Sequence, residues 1–306
     1  MKATPGASVY MPLDEFEEAL DFQQRSGVPH ISLLGGEPTI HPRFLEMLNR
    51  VLTRGLKVLV LSGGIMPETV LQRLEELSPE QVSVLLNVAP PGTDFSERER
   101  SQQEIVMRRL GARVVLGLNI SGPEISPDFL LERISSFSLA KVVRLGLAHP
   151  IVDGKNEHLH PRYYRAVGRR TAAFVARANG AEVQVEFDCG WVPCMFPAGF
   201  LEEFQIGPEQ VGLRCNPILD VLPGRQVISC YPLAAIARKP LPTHEEGHWL
   251  AERFMETLAP YRSAMLFKEC SACEWRKRGE CEGGCVAGSL RRAGIGIPTS
   301  LSETII

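Results

Sequence analysis

The chain has 306 residues, 44% of them hydrophobic and 23% charged, with a net charge of −3. This is the composition of a globular protein long enough for one large domain or two ordinary ones, and it carries no global basic surface for nucleic acid. No stretch approaches the ~20 apolar residues of a membrane span. Met1 to Gly6 lacks the apolar core of a signal peptide, so a cytoplasmic location without membrane or nucleic-acid partners is expected.

Leu13, Phe16, Ala19 and Leu20 share one helical face, and Gly27 ends that helix. An apolar strand, Val28 to Leu34, runs into Gly35-Gly36-Glu37-Pro38, and a helix from Phe44 to Arg54 follows. Next come a strand over 56–61 ending in Ser62-Gly63-Gly64, a helix from Pro67 to Leu77, and a strand over 82–88 containing Asn87. A polar helix spans 96–110 and a strand 113–120, with Asn119 near its end. A helix opened by Ser126-Pro127 precedes a strand over 141–147 that leads to His149. A long helix, Pro161 to Ala178, buries Tyr163, Val167, Phe174 and Ala178, and a strand over 182–187 closes the series. Alternation of strands and helices predicts a parallel α/β sheet or barrel, whose working residues lie at the C-terminal strand ends. Those ends are small, polar or glycine-rich, as a ligand rim requires. The first helix has no strand before it.

All eight cysteines lie between residue 189 and the C-terminal end: Cys189, Cys194, Cys215, Cys230, Cys270, Cys273, Cys281 and Cys285. This asymmetry marks a boundary that divides 1–187 from 188–306. Beyond it, apolar periodicity is weak except for a helix over 249–258, so a metal-stapled domain is expected. Cys270-x2-Cys273 places two thiolates on one tight turn, and with Cys281 and Cys285 makes a four-ligand set for zinc or an iron–sulfur cluster. Spacing leaves the choice between zinc and iron–sulfur open, and metal ligation outweighs the alternative that these are buried structural cysteines. His244-Glu245-Glu246-Gly247-His248 matches a zinc-protease pattern, but Pro242 and Gly247 deny it the helix it needs. His158, His160 and the arginines of 162–170 read as solvated, and His41 and His149 as hydrogen-bonded strand-end residues.

Together these features resemble a radical SAM enzyme with a C-terminal auxiliary-cluster domain of the SPASM or twitch kind. The resemblance rests on Leu34 to Thr39, on the strand–helix alternation, and on the cysteine segments from Asp188 to Cys285. It implies a partial (βα)6 TIM-like barrel missing its first strand, followed by a cysteine-rich domain. It also implies S-adenosylmethionine binding by Gly35, Gly36, Glu37 and Pro38, with Ser62, Asn87 and Asn119 as further contacts, and one or two auxiliary 4Fe-4S clusters on the eight cysteines. Cys285 is expected to join Cys215 and Cys230, while Cys270, Cys273 and Cys281 share the other cluster, with Cys189 or Cys194 completing the sets. The implied activity is reductive cleavage of S-adenosylmethionine to a 5′-deoxyadenosyl radical that modifies a peptide or protein, with flavodoxin or ferredoxin as reductant. The alternative is a non-catalytic iron–sulfur or zinc-binding peptide-recognition protein. The family's C-x3-C-x2-C motif is not in this sequence. Either a late start codon or loss of the reactive cluster accounts for that, and the polypeptide as written is expected to be catalytically silent.

Overall fold

A computed structural model describes residues 10–93, 95–207, 210, 213–263 and 266–294. Its larger sheet has six strands in chain order: β1 (His30–Leu33), β2 (Lys57–Ser62), β3 (Val82–Asn87), β4 (Val114–Ile120), β5 (Val142–Leu147) and β6 (Gln184–Phe187). β1 to β4 pair in parallel, with Ile31 opposite Val58, Val60 opposite Val84 and Leu86 opposite Leu116. The connecting helices are α2 (Phe44–Thr53), α3 (Glu68–Glu76), α4 (Glu97–Leu110), α5 (Phe129–Phe137) and α6 (Tyr164–Gly180), and α1 (Leu13–Arg25) precedes β1. Parallel strands need such crossovers, and helices on a sheet face leave its strands Val- and Leu-rich.

Most strand boundaries lie within two residues of the sequence expectation. Two helix starts differ. α5 begins at Phe129, because Asp128 rather than Ser126 precedes its first turn. The segment from Pro161 opens as a 3-10 turn, and helix begins at Tyr164. That shift makes Tyr164, 4% exposed, the buried tyrosine in place of Tyr163. α4 is polar yet well defined: Ser96 and Glu99 form a reciprocal capping box, and Val106, Met107 and Leu110 supply its buried stripe.

The chain divides into two compact units. The first comprises residues 1–118, 127–144 and 177–185, and the second 119–126, 145–176 and 186–306. The compositional break near residue 188 falls where the last segment of the second unit begins. In the first unit α1 lies against α2: Phe16, Leu20, Leu48 and Val51 are buried, and Glu17 pairs with Arg50 and Arg54. The second unit has more regular structure than its sequence suggests. It holds an antiparallel sheet of β7 (Asp220–Leu222), β8 (Gln226–Ile228) and β9 (Arg238–Pro240). Its helices include α7 (Phe200–Glu203), α8 (Gly247–Leu258), α9 (Glu274–Lys277) and α10 (Val286–Ala293). Val227, Ile228, Leu233, Leu250, Phe254, Leu266 and Leu290 are all at most 2% exposed, so this region has a core of its own. Three-residue strands and one-turn helices are too short to show a periodic pattern in sequence.

Candidate functional site

In the first unit, the turn after β1 is fastened to β2 through one carboxylate. Glu37 Oε1 accepts from Thr39 N at 3.3 Å, Thr39 Oγ1 at 2.6 Å and Ser62 Oγ at 3.0 Å. Oε2 accepts from Ser62 Oγ at 2.9 Å and from Gly63 N at 2.8 Å. A carboxylate offers about four lone-pair sites, so the chain's own donors occupy this one. Thr39 and Ser62 are buried, at 1% and 2% exposed. The Ser62 oxygen also accepts from Gly64 N at 2.9 Å. Ser62 and Glu37 therefore brace the rim, and the face left open is the backbone of Gly35 and Gly36. Both glycines are exposed, and a Cβ on either would meet nothing within 4 Å. Pro38 begins the short 3-10 turn that Glu37 caps.

The next link along this rim was not legible as a site residue. Gln103 of α4 is 1% exposed, and its Nε2 donates to Gly63 O at 2.9 Å and to Asn87 O at 3.0 Å. It joins the ends of β2 and β3 as Glu37 joins those of β1 and β2. Gly64, at φ 93°, lets the backbone pass close to Gln103, whose Cγ would lie 2.8 Å from an added Cβ. Asn87 Oδ1 occupies the space over Gly117 of β4, only 2.6 Å from where a Cβ would stand.

The same relation recurs in the second unit. Asn119 Oδ1 and Asp188 Oδ2 lie 2.5 and 2.9 Å from the Cβ position of Gly146. Asn119 and Asn87 thus each lean over a glycine of the following strand.

The cysteines of the second unit form two neighbourhoods. Cys215 and Cys230 lie within electrostatic reach of Cys285 and Cys189. Cys194 lies likewise beside Cys270, Cys281 and Cys273, and these four line one cavity with Phe267 and Trp275. Two of the three cysteine-bearing segments therefore contribute to both sets: Cys189 and Cys194 part company across Trp191, and Cys285 leaves the C-x2-C group for the set of Cys215 and Cys230.

Local geometry presents backbone donors to the sulfurs. The start of α10 aims Val286 N–H at Cys215 and the N–H groups of Ala287 and Gly288 at Cys285. Leu233 N–H serves Cys230. Gly283 and Gly284, at φ 91° and 95°, turn their N–H groups to Cys281, with Gly283 N 3.4 Å from the sulfur. Such donors favour thiolate over thiol, but burial opposes them. It pushes the Cys194 thiol up to about 11 and the Cys215 thiol up to about 12, each aided by the neighbouring sulfurs, and raises Cys230 and Cys281 as well. Cys285 goes the other way. Burial opposes its ionisation, but the His149 imidazole beside it lowers its pKa.

His149 was read as a strand-end residue with satisfied hydrogen bonds, and it does bond Cys189 O through Nε2 at 3.0 Å. It also reaches the Cys285 and Cys189 sulfurs: burial alone would lower its pKa, but their thiolate charge and hydrogen bonds raise it overall. Gly190, at φ 95°, admits the ring: a Cβ there would lie 2.2 Å from His149 Cε1. The signal in sequence was the Gly following Cys189.

The other histidines fall outside these groups. His41 bonds Met11 O through Nε2 at 3.2 Å and accepts from Arg43 N through Nδ1 at 3.0 Å. His244 precedes α8, which starts at Gly247, so His244 and His248 do not share a helix face. His158 bonds Asn156 O, and His160 caps the turn before α6.

The radical SAM superfamily model matches residues 2–110, a stretch that includes the Gly35-Gly36-Glu37 turn. The fold over nearly the whole chain is shared with solved structures. SuiB of Streptococcus suis bound to S-adenosylmethionine has 14% identity and a TM-score of 0.67 over 94% of this chain and 68% of that one. The structure described as native anSMEcpe with bound AdoMet and Kp18Cys peptide has 15% identity and a TM-score of 0.59 over 91% and 82%. SuiB bound to the precursor peptide SuiA gives 12% identity and a TM-score of 0.61 over 94% and 67%. No curated protein matches the chain.

Proposed function

We propose that this chain is a peptide-modifying protein of the radical SAM type whose second unit holds two four-iron clusters. The observation that carries this reading is the sorting of eight cysteines into two sets of four, drawn from interleaved segments. Four thiolates suit one 4Fe-4S cluster, and N–H donors to the sulfurs are among the features that tune such clusters.

In the first unit, the open Gly35–Gly36 backbone is the surface offered to the amino group of S-adenosylmethionine, and Asn87 is a polar side chain at the neighbouring strand end. Glu37 and Ser62 hold that surface in place and do not themselves receive the ligand. Two sets of four thiolates leave no open iron for S-adenosylmethionine, so radical formation would require the three-cysteine cluster of the C-x3-C-x2-C motif, which this sequence does not contain; the residues of this chain would supply binding and orientation. A peptide substrate is supported by the two neighbours whose structures contain peptides. Flavodoxin or ferredoxin is the proposed class of reductant.

Anaerobic loading with iron and sulfide tests the reading on the chain as it stands. About eight irons per chain, in a brown protein whose colour bleaches with dithionite, is the expected result. A colourless chain with stoichiometric zinc would overturn it.

A further inference from the structure

Between His158 and Ala181 the chain has no carboxylate, yet it has arginines at 162, 165, 169, 170 and 177, in a protein of net charge −3. Elsewhere arginines are largely matched: Arg50 with Glu17 and Glu46, Arg73 with Glu76, Arg109 with Glu68 and Glu75, Arg253 with Glu256. On α6 the buried positions are 164, 167, 168, 171, 172, 174, 175 and 178, while 165, 166, 169, 170, 173, 176, 177, 179 and 180 are exposed. Arg170 donates to Pro123 O and Arg162 lies 4.5 Å over the Tyr163 ring. Arg165 and Arg169 are exposed, four residues apart, and have no carboxylate partner among the described residues. With Arg162, in the 3-10 turn just before the helix, they make a stripe of exposed arginines with no carboxylate partner among the described residues.

The inner side of the same helix rests on the second cysteine set. A Cβ on Gly168 would lie 2.0 Å from Met195 O, so the helix backbone lies directly against the turn that carries Cys194. Tyr164 packs edge-on against Phe267, 5.8 Å between centroids, and Phe267 lines the cavity of Cys194, Cys270, Cys273 and Cys281. A helix is about 10–12 Å across with its side chains. Cys194 is itself exposed, so the stripe stands about one helix width from the surface-facing edge of this set.

We propose that Arg162, Arg165 and Arg169 form the docking face for the acidic surface of a one-electron donor protein, which delivers its electron to the second cysteine set. This rests on reading that set as a cluster site. The donor is a reduced flavoprotein or ferredoxin-type protein. It loses one electron, the cluster gains one, and no bond or proton moves. The stripe is short, with Arg165 and Arg169 about 6 Å apart along the axis, and the chain around it is net acidic. A compact acidic patch fits this better than a long polyanion, which the rest of the surface would repel.

The test uses the iron-loaded chain and measures bleaching of its absorbance in stopped flow, with reduced flavodoxin as one reductant and dithionite as the other. Steered association depends on charge and is screened by salt. The flavodoxin rate of the unaltered chain should therefore fall as salt rises. The double variant R165E/R169E should lose at least about tenfold of that rate at low salt, and R165K/R169K should keep most of it. Dithionite bleaching and iron content should be the same in all three. Equal flavodoxin rates in the unaltered and R165E/R169E chains, with dithionite bleaching intact, would overturn the docking face. So would a variant that loses affinity only for RNA or an acidic peptide. A chain that dithionite does not bleach would fail the cluster reading itself, and the docking proposal with it.

Discussion

At the rim of the first unit, the polar side chains find partners within the chain: the Glu37 carboxylate meets Thr39, Ser62 and Gly63, and Gln103 meets Gly63 and Asn87. In the second unit eight thiols gather in two places, three of them buried and several pushed toward the neutral form. The first region is complete before any ligand arrives. On the function proposed above, the second acquires its remaining contacts only when a cluster binds the sulfurs. The difference separates a surface whose geometry is preorganised from one whose folding energy depends on its occupant.

The largest expected effect breaks the second region one half at a time. Cys230→Ala removes a sulfur from the set containing Cys189, Cys215 and Cys285, and Cys270→Ala removes one from the other set. Each single variant should lose about four of the irons, and each should melt at a lower temperature than the loaded parent. The double variant should hold almost none. If Cys270→Ala emptied both sets together, or if neither variant changed the iron count, the two-set arrangement would be wrong.

Glu37→Ala tests the first region and should be destabilising without touching iron content. It leaves the donors of Thr39, Ser62 and Gly63 in a partly buried place, at a cost of about 1–3 kcal/mol for each left unsatisfied. Glu37→Gln keeps an acceptor oxygen and should recover part of the loss. S-adenosylmethionine affinity, measured by calorimetry, should fall in both through displacement of the turn. A Glu37→Gln chain of unchanged stability but abolished ligand binding would instead make this carboxylate a direct contact.

Gln103→Ala should be milder, because one buried amide is removed and two carbonyls lose a donor, costing about 1–3 kcal/mol. Its sharper readout is amide hydrogen exchange at Gly63, Gly64 and Val88, which should quicken while the strand centres stay protected. Unchanged exchange there would show that α4 does not hold the ends of β2 and β3. Gly117→Ala should act more locally still. Its Cβ would crowd Asn87 Oδ1, a side-chain atom that can rotate away. The expected outcome is a displaced Asn87 with less than about 1.5 kcal/mol of lost stability.

Much of the first region was legible in the sequence because its signals are periodic. Five- to seven-residue apolar runs and capped helices specify a parallel sheet, and Gly35-Gly36-Glu37 falls where one strand ends. What that pattern does not convey is who bonds whom. Glu37 reads as a ligand-facing carboxylate because its partners, Ser62 and Gly63, lie 25 and 26 residues away. Gln103 sits in a polar helix where nothing distinguishes it from Gln102. In the second region the cysteine spacings announce metal chemistry, yet the sorting of Cys189 and Cys194 into different sets depends on a turn around Trp191, which is buried and bonded to Leu145 O. His149 joins the first set only because Gly190 leaves it room.

The smallest expected effect is a pH dependence confined to the metal-free chain. Folded-state pKa values for Cys194 of about 11 and Cys215 of about 12 stand above the ordinary 9.0, through burial. A group whose pKa rises on folding adds stability that is fully present below its unfolded pKa and is lost as pH climbs through its folded one. The metal-free melting temperature should therefore decline from about pH 9 toward pH 12, and Cys194→Ala and Cys215→Ala should each flatten part of that slope. Cys285 has the opposite sign. Burial raises its pKa, but His149 outweighs burial and leaves it lowered, so its contribution is present above the unfolded pKa and fades as pH falls through the folded one. His149→Gln should remove that contribution and make the alkaline decline relatively steeper. Loading the sulfurs converts them to bound thiolates and should abolish both slopes. A loaded chain that kept the same pH profile would mean that these thiols are not the groups being filled.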